Sequence, residues 1–178
     1  MRIGGKLQLN IEAACGRNES AYLQRMDAEQ LKQDVLQCSL PAALEVVGER
    51  WSFLILRATF NGLSHFEQFQ AQLGIARNIL ASRLAKLVQH GILQRCDCAD
   101  DRRKVIYTLT PKGEALLPTL IALRQWGERW EACCPSNPVL VDKRDGKPVR
   151  DIRVTANDGR MLDLSDLCWK DRAEITQS

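Results

Sequence analysis

The stretch Ser64–Pro111, SHFEQFQAQLGIARNILASRLAKLVQHGILQRCDCADDRRKVIYTLTP, decides the fold. Ser64 opens a helix, with Glu67 three residues later in the pattern of a capping box. Phe66, Phe69 and Leu73 share its inner face, and Gly74 breaks it. Ile75-Ala76 turns the chain into a second helix, Arg77 to His90, which Gly91 closes. A helix, a short glycine-containing turn and another helix make a helix-turn-helix. The period then changes from 3.6 to 2. Ile92–Cys98 and Lys104–Leu109 are short runs, with Val105, Tyr107 and Leu109 alternating against Lys104, Ile106 and Thr108. Joined by Ala99–Arg103, they predict a two-stranded hairpin with a charged tip, a wing. Thr110-Pro111 is an N-cap followed by proline in the first turn, so a long helix follows, to about Cys133.

Charge sharpens this reading. No acidic residue falls between Gln68 and Cys96, while Arg77, Arg83, Lys86 and Arg95 do. At ~100° per residue, Leu80, Leu84, Leu87 and Val88 form one face of the Arg77–His90 helix. Asn78, Ser82, Lys86 and Gln89 form the opposite one. Asparagine reads adenine edges, and small hydroxyls and cations suit base edges and phosphates. Arg77 stands at the helix N-terminus, where a groove-inserted helix meets DNA first. The bland reading is a solvated face that lacks acids, but surface helices normally carry both signs. Arg83 belongs to the same basic helix. Arg102, Arg103 and Lys104 at the wing tip are expected to reach a phosphate or the minor groove, with Asp101 orienting an arginine. Double-stranded DNA is thus the expected partner.

Outward from this stretch, residues 1–25 lack sustained periodicity and are expected to be an N-terminal extension, with Met26 a candidate start. A helical pattern runs from Asp27 to Gln37. Ser39 is the expected N-cap of a helix with Pro41 in its first turn and Gly48 as its end. Glu49–Phe60 places Trp51, Leu54, Ile55 and Ala58 at helical spacing before the Asn61-Gly62 stop. In the long helix Leu116, Leu120, Leu123, Gly127 and Trp130 form one stripe, which Pro118 should kink or interrupt. That stripe, with Trp126, is more apolar surface than a four-helix core needs. The Asp27–Gln37 and Pro111–Cys133 helices are therefore expected to form a two-fold homodimer interface. After Cys134, Asp145-Gly146 and Asp158-Gly159 flank Val149, Ile152 and Val154, the pattern of a small β-meander with no internal repeat.

The expected class is mainly α with a small β wing: a winged helix-turn-helix over residues 26–133, an extension over 1–25 and a β-rich appendage over 134–178. At 178 residues, two large cores are not expected. No run of about 18 apolar residues is present, so no membrane span is expected. Met1–Leu9 is too short and polar for a signal peptide, which places the protein in the cytoplasm. Net charge is only +3, so the argument rests on where charge sits.

Seven cysteines, an odd number, argue against a secreted disulfide framework. Cys96-x-Cys98 and Cys133-Cys134 do not match the spacings of structural zinc sites, so no metal and no cofactor are expected. His65 and His90 have no nucleophile motif nearby and no glycine-rich phosphate loop occurs, so no enzyme is expected. The competing class is a winged-helix protein–protein module, which uses the same fold without DNA.

These residues resemble the HxlR family of bacterial winged-helix regulators, relatives of the MarR type. The likeness is carried by Cys38–Trp51 (CSLPAALEVVGERW), Leu54–Arg57, Leu73–Leu84 (LGIARNILASRL), Gly91–Leu93, Tyr107–Gly113 (YTLTPKG) and Trp126-Gly127. It covers roughly residues 38–130. The resemblance implies a homodimeric transcription factor with Arg77–His90 as its recognition helix. The wing departs from it: the family's is richer in proline, and Asp100-Asp101-Arg102-Arg103 looks more like a MarR wing. Some members sense electrophiles or oxidants through the cysteine that matches Cys38, which makes Cys38 the redox-sensing candidate. Independently, a thiol just before a helix N-terminus gains thiolate character from the dipole, whereas a buried cysteine is inert.

Overall fold

The computed structural model describes residues 37–97, 105–169 and 172–175. The expected extension over 1–25, the helix from Asp27 and the wing-tip cations Arg102, Arg103 and Lys104 lie outside the described residues. Residues Cys38–Ile152 form one compact unit, and the described residues from Arg153 onward belong to another.

In the first unit the order is α1 (Ser39–Val47), α2 (Arg50–Phe60), α3 (Phe66–Leu73), α4 (Arg77–Gln89), β1 (Leu93–Asp97), β2 (Val105–Leu109), α5 (Pro111–Glu114) and α6 (Leu117–Trp130). Three helix ends follow from glycines that take the left-handed conformation: Gly62, Gly74 and Gly91 have φ of 91°, 61° and 65°. The core is what the 3.6-residue period demands. Ile55, Leu56, Phe69, Leu80, Leu84 and Leu87 are fully or almost fully buried. They come from three helices, which close around one centre.

Strands β1 and β2 pair antiparallel, with Leu93 opposite Leu109 and Asp97 opposite Val105. The other edge of β2 is also used: Tyr107 N–H donates to Ser64 O at 2.8 Å, and His65 bridges Ile106. The residues ahead of α3 are therefore extended, and this shifts the helix start. The expected Ser64/Glu67 capping box gives way to His65 as N-cap, with Gln68 Oε1 accepting the N–H groups of both Ser64 and His65 at 3.1 Å. A similar one-residue shift occurs at α1. There Cys38 rather than Ser39 is the N-cap, and its Sγ accepts the Leu40 N–H at 3.4 Å.

The expected single helix Pro111–Cys133 is two helices. The helix is interrupted by a turn at Ala115-Leu116, and Pro118 sits in the first turn of α6, where no N–H is needed. Helix α6 ends at Trp130. The short α5 locks the wing to α4: Thr110 Oγ1 donates to Gly91 O at 2.6 Å and accepts the Gly113 N–H at 3.1 Å. Lys112 Nζ donates to His90 O at 2.8 Å. Gly113 lies against the Ile92 carbonyl, and a Cβ there would stand 2.2 Å from that oxygen. Gly113→Ala is therefore expected to destabilise the domain by about 2 kcal/mol, in the range of overpacked backbone contacts. Urea denaturation checks this, and an unchanged midpoint would contradict it.

In the C-terminal segment each of the two Asp-Gly turns closes a hairpin, with minimal pairing. Residues 134–169 contain single β-bridges, Val141–Pro148 and Thr155–Met161, and no strand. The chain is also repeated here, contrary to the sequence reading. In the first hairpin Val149 N–H donates to Leu140 O and Asp142 N–H to Lys147 O. In the second, Leu162 N–H donates to Val154 O and Ala156 N–H to Arg160 O. Each turn holds the same aspartate bond, from Lys147 N–H to Asp145 Oδ1 and from Arg160 N–H to Asp158 Oδ1, both 3.0 Å. Gly146 and Gly159 supply φ of 70° and 85°.

The first hairpin is fastened to α6. Gln125 donates to Arg150 O and accepts the Ile152 N–H, Arg129 pairs with Asp151 at 3.0 Å, and Arg124 donates to Pro138 O. Between them lies a groove of about 370 Å³.

Candidate nucleic-acid interface

Helix α4 is held from below and left open above. Leu80, Leu84 and Leu87 are buried, with Ile79 and Val88 half-buried beside them. Asn78, Ala81, Ser82, Ala85 and Gln89 are all exposed. At i, i+3, i+4, i+7 and i+11 these five fall on one line along the helix. The stripe is narrow, uncharged and built of short side chains at its centre. A helix of that profile can approach base edges closely, because alanine adds only a methyl, which also matches the thymine methyl. Ala81 and Ala85 were missed by a search for polar groups. The signal that finds them is their position one turn from Asn78 and Ser82.

Arg77 is exposed in the first turn, its guanidinium 4.8 Å from the centre of the Phe66 ring. That contact, of about 0.5–1 kcal/mol in exposed settings, ties the side chain back to α3 and fixes where its charge sits. No side chain caps the start of α4, and Ala76, Arg77 and Asn78 are all exposed there. Uncapped N–H groups at a helix start suit a phosphate oxygen.

Lys86 and Arg83 are placed differently from the expectation. Lys86 is half-buried on the flank of the exposed stripe, and its Nζ lies 3.5 Å from Glu45 of α1. Arg83 is turned further toward the domain and pairs with Glu49, just ahead of α2, with its Nε buried and without a hydrogen-bond partner. The physical reason is local: Glu45 of α1 and Glu49 at the start of α2 bring two acids to a helix that has none of its own. These pairs hold α4 against the N-terminal part of the unit and leave the central stripe uncharged. Arg57 and Arg95 are exposed cations of the same unit, on α2 and β1.

Cys38 is exposed and free, as are Cys96, Cys133, Cys134 and Cys168. Among the described residues no group of three or more His, Cys, Asp or Glu could hold a metal ion. Among them, too, no helix is long and apolar enough to cross a membrane.

A buried-face helix with an exposed, acid-free stripe, preceded by a helix and a left-handed glycine turn and followed by an antiparallel hairpin, defines a winged helix-turn-helix. Residues 46–133 match the model of the HxlR-like helix-turn-helix family. The HTH-type transcriptional regulator YodB of Bacillus subtilis is 30% identical over 106 residues, 59% of this chain and 93% of that protein. An HTH-type transcriptional regulator of Mycobacterium tuberculosis is 42% identical over 92 residues, 52% of this chain, and the chain spans 58% of its length. Among solved structures, the transcription factor PA1607 superposes with a TM-score of 0.70 at 42% identity, covering 75% of this chain and 94% of that one. The chain belongs to the HxlR-like helix-turn-helix family of transcriptional regulators.

Proposed function

We propose that the protein is a cytoplasmic, homodimeric, sequence-specific DNA-binding regulator, without catalytic activity, whose α4 enters the major groove of a palindromic operator. The observation that carries this reading is the exposed, acid-free stripe Asn78-Ala81-Ser82-Ala85-Gln89 on a helix whose other face is fully packed. Asn78 and Gln89 suit adenine edges, Ser82 suits a base edge or phosphate, and the two alanines let the helix seat deeply. Arg77 and the open N-terminus of α4 suit one phosphate, and Arg102, Arg103 and Lys104 of the wing suit the neighbouring backbone. Lys86 and Arg83 act from the flank, where DNA phosphates compete with Glu45 and Glu49 for them.

The dimer reading rests on α6. Leu123, Trp126 and Trp130 are 50%, 53% and 68% exposed. A helix carrying three such residues in the open is the surface a two-fold partner covers. Such a dimer sets two α4 helices about one DNA turn, ~34 Å, apart. Leu123→Glu with Trp126→Glu is expected to give a monomer in sedimentation equilibrium and to weaken operator binding about 100-fold, because one half-site contact is lost. A doubly substituted protein that remains dimeric contradicts this interface.

Cys38 supports the regulatory part of the proposal. It is exposed, it caps α1, and α1 carries the Glu45 that meets Lys86. Modifying its sulfur removes the cap of a helix that touches the DNA-reading helix. Cys38→Ser is expected to bind operator as the parent protein does, but to keep about 90% of that binding under a dose of a thiol-reactive quinone or peroxide that releases the parent, since a hydroxyl caps equally well and does not oxidise. Equal release of both proteins would remove Cys38 from the account.

A further inference from the structure

The chain leaving α6 brings two sulfurs together that regular secondary structure would hold apart. Consecutive side chains point to opposite sides of a strand and do not face each other on a helix. Cys133 and Cys134 lie in neither, but in the bend that follows Trp130, where Glu131 and Ala132 N–H both bond to Gly127 O. The bend places their Sγ atoms 4.0 Å apart, and both cysteines are exposed. Beyond it the chain is held again, by Arg124 on Pro138 O and by Gln125 and Arg129 on the first hairpin. The dithiol therefore sits in a short turn anchored at both ends.

The number and kind of donors select the ligand. Thiolates are soft donors and favour soft acceptors. Structural zinc asks for four ligands, and among the described residues no third His, Cys, Asp or Glu joins the pair. A direct disulfide would need the sulfurs to close to about 2.05 Å within a ring of eight atoms. A single bridging atom asks for a much smaller approach. We propose that Cys133 and Cys134 form a vicinal dithiol site for trivalent arsenic carrying one organic substituent, which is satisfied by two sulfurs. The step is R–As=O + 2 Cys–SH → R–As(S–Cys)₂ + H₂O. Arsenic remains trivalent, its bond to oxygen is replaced by two bonds to sulfur, and both thiol protons leave in the water. The bridge fixes the turn between α6 and the hairpin.

The test uses the full reduced chain and phenylarsine oxide. Intact-mass and peptide mapping should show one phenylarsine group spanning Cys133 and Cys134, retained against excess glutathione and released by dithiothreitol. Cys133→Ser and Cys134→Ser should each retain the group about 100-fold less well, because a second thiol on the same chain acts at high effective concentration. Cys96→Ser should match the parent, and circular dichroism checks that all variants are folded. The proposal is overturned if the group maps to other thiols, if no adduct survives glutathione, or if either single variant at 133 or 134 holds it as the parent does.

Discussion

Ser82→Glu should lower operator affinity at least about 100-fold, roughly 3 kcal/mol, with little change in the stability of the protein. Ser82 sits at the middle of the exposed stripe of α4, between Asn78 and Gln89 and beside Ala81 and Ala85. A carboxylate there loses any bond the hydroxyl makes and brings a negative charge against two phosphate backbones, and like charges juxtaposed at an interface cost several kcal/mol. The fold has no reason to object. Glutamate is a better helix former than serine, and exposed substitutions away from caps and cores usually change stability by less than about 0.5 kcal/mol. Fluorescence anisotropy on a selected DNA fragment, with a thermal melt as control, separates the two effects. Lys86→Glu is a poorer probe, because it also sets a carboxylate against Glu45. Binding by Ser82→Glu within about 3-fold of the parent would mean that this face is not the one that meets DNA.

Phe69→Ala should cost about 3–5 kcal/mol of folding stability, the range for deleting a buried phenylalanine. Phe69 is fully buried, and its ring meets Tyr107 edge to face, with centroids 6.5 Å apart. It thus joins the first helix of the helix-turn-helix to the wing strand that also bonds Ser64. Domains of this size are commonly stable by about 5–15 kcal/mol, so such a loss leaves the protein marginal at growth temperature. Urea unfolding measures it directly. A loss below about 1.5 kcal/mol would show that the site collapses around the smaller side chain, and that α3 and the wing are coupled by the backbone bond instead.

Much of this was legible in the sequence because its signals are local. Glycine marks the turns at 62, 74 and 91 through a backbone geometry that other residues resist. Leu80, Leu84 and Leu87 reveal the buried face of α4 by period alone. What was not legible depends on neighbours far along the chain. The helix before the turn starts one residue later than the Ser64/Glu67 pattern suggests, because Ser64 and His65 are drawn into contact with β2. A helical projection gives the angle of Lys86 but not the presence of Glu45 beside it. The hairpins of the C-terminal segment were legible from their Asp-Gly turns, but their repetition was not, because the first pairing, Leu140 with Val149, encloses one more residue than the second, Val154 with Leu162, which breaks a fixed repeat. The small residues of the stripe were passed over because alanine carries no donor or acceptor, although a groove-reading helix needs room as much as it needs polar groups.

The most direct test of the central claim is selection of DNA fragments by the purified full chain, followed by hydroxyl-radical footprinting of the enriched sequence. The account predicts an inverted repeat protected over two half-sites centred about 10 base pairs apart, on one face of the duplex, with protection lost for Ser82→Glu. No enriched sequence, or a footprint unchanged by Ser82→Glu, would contradict it.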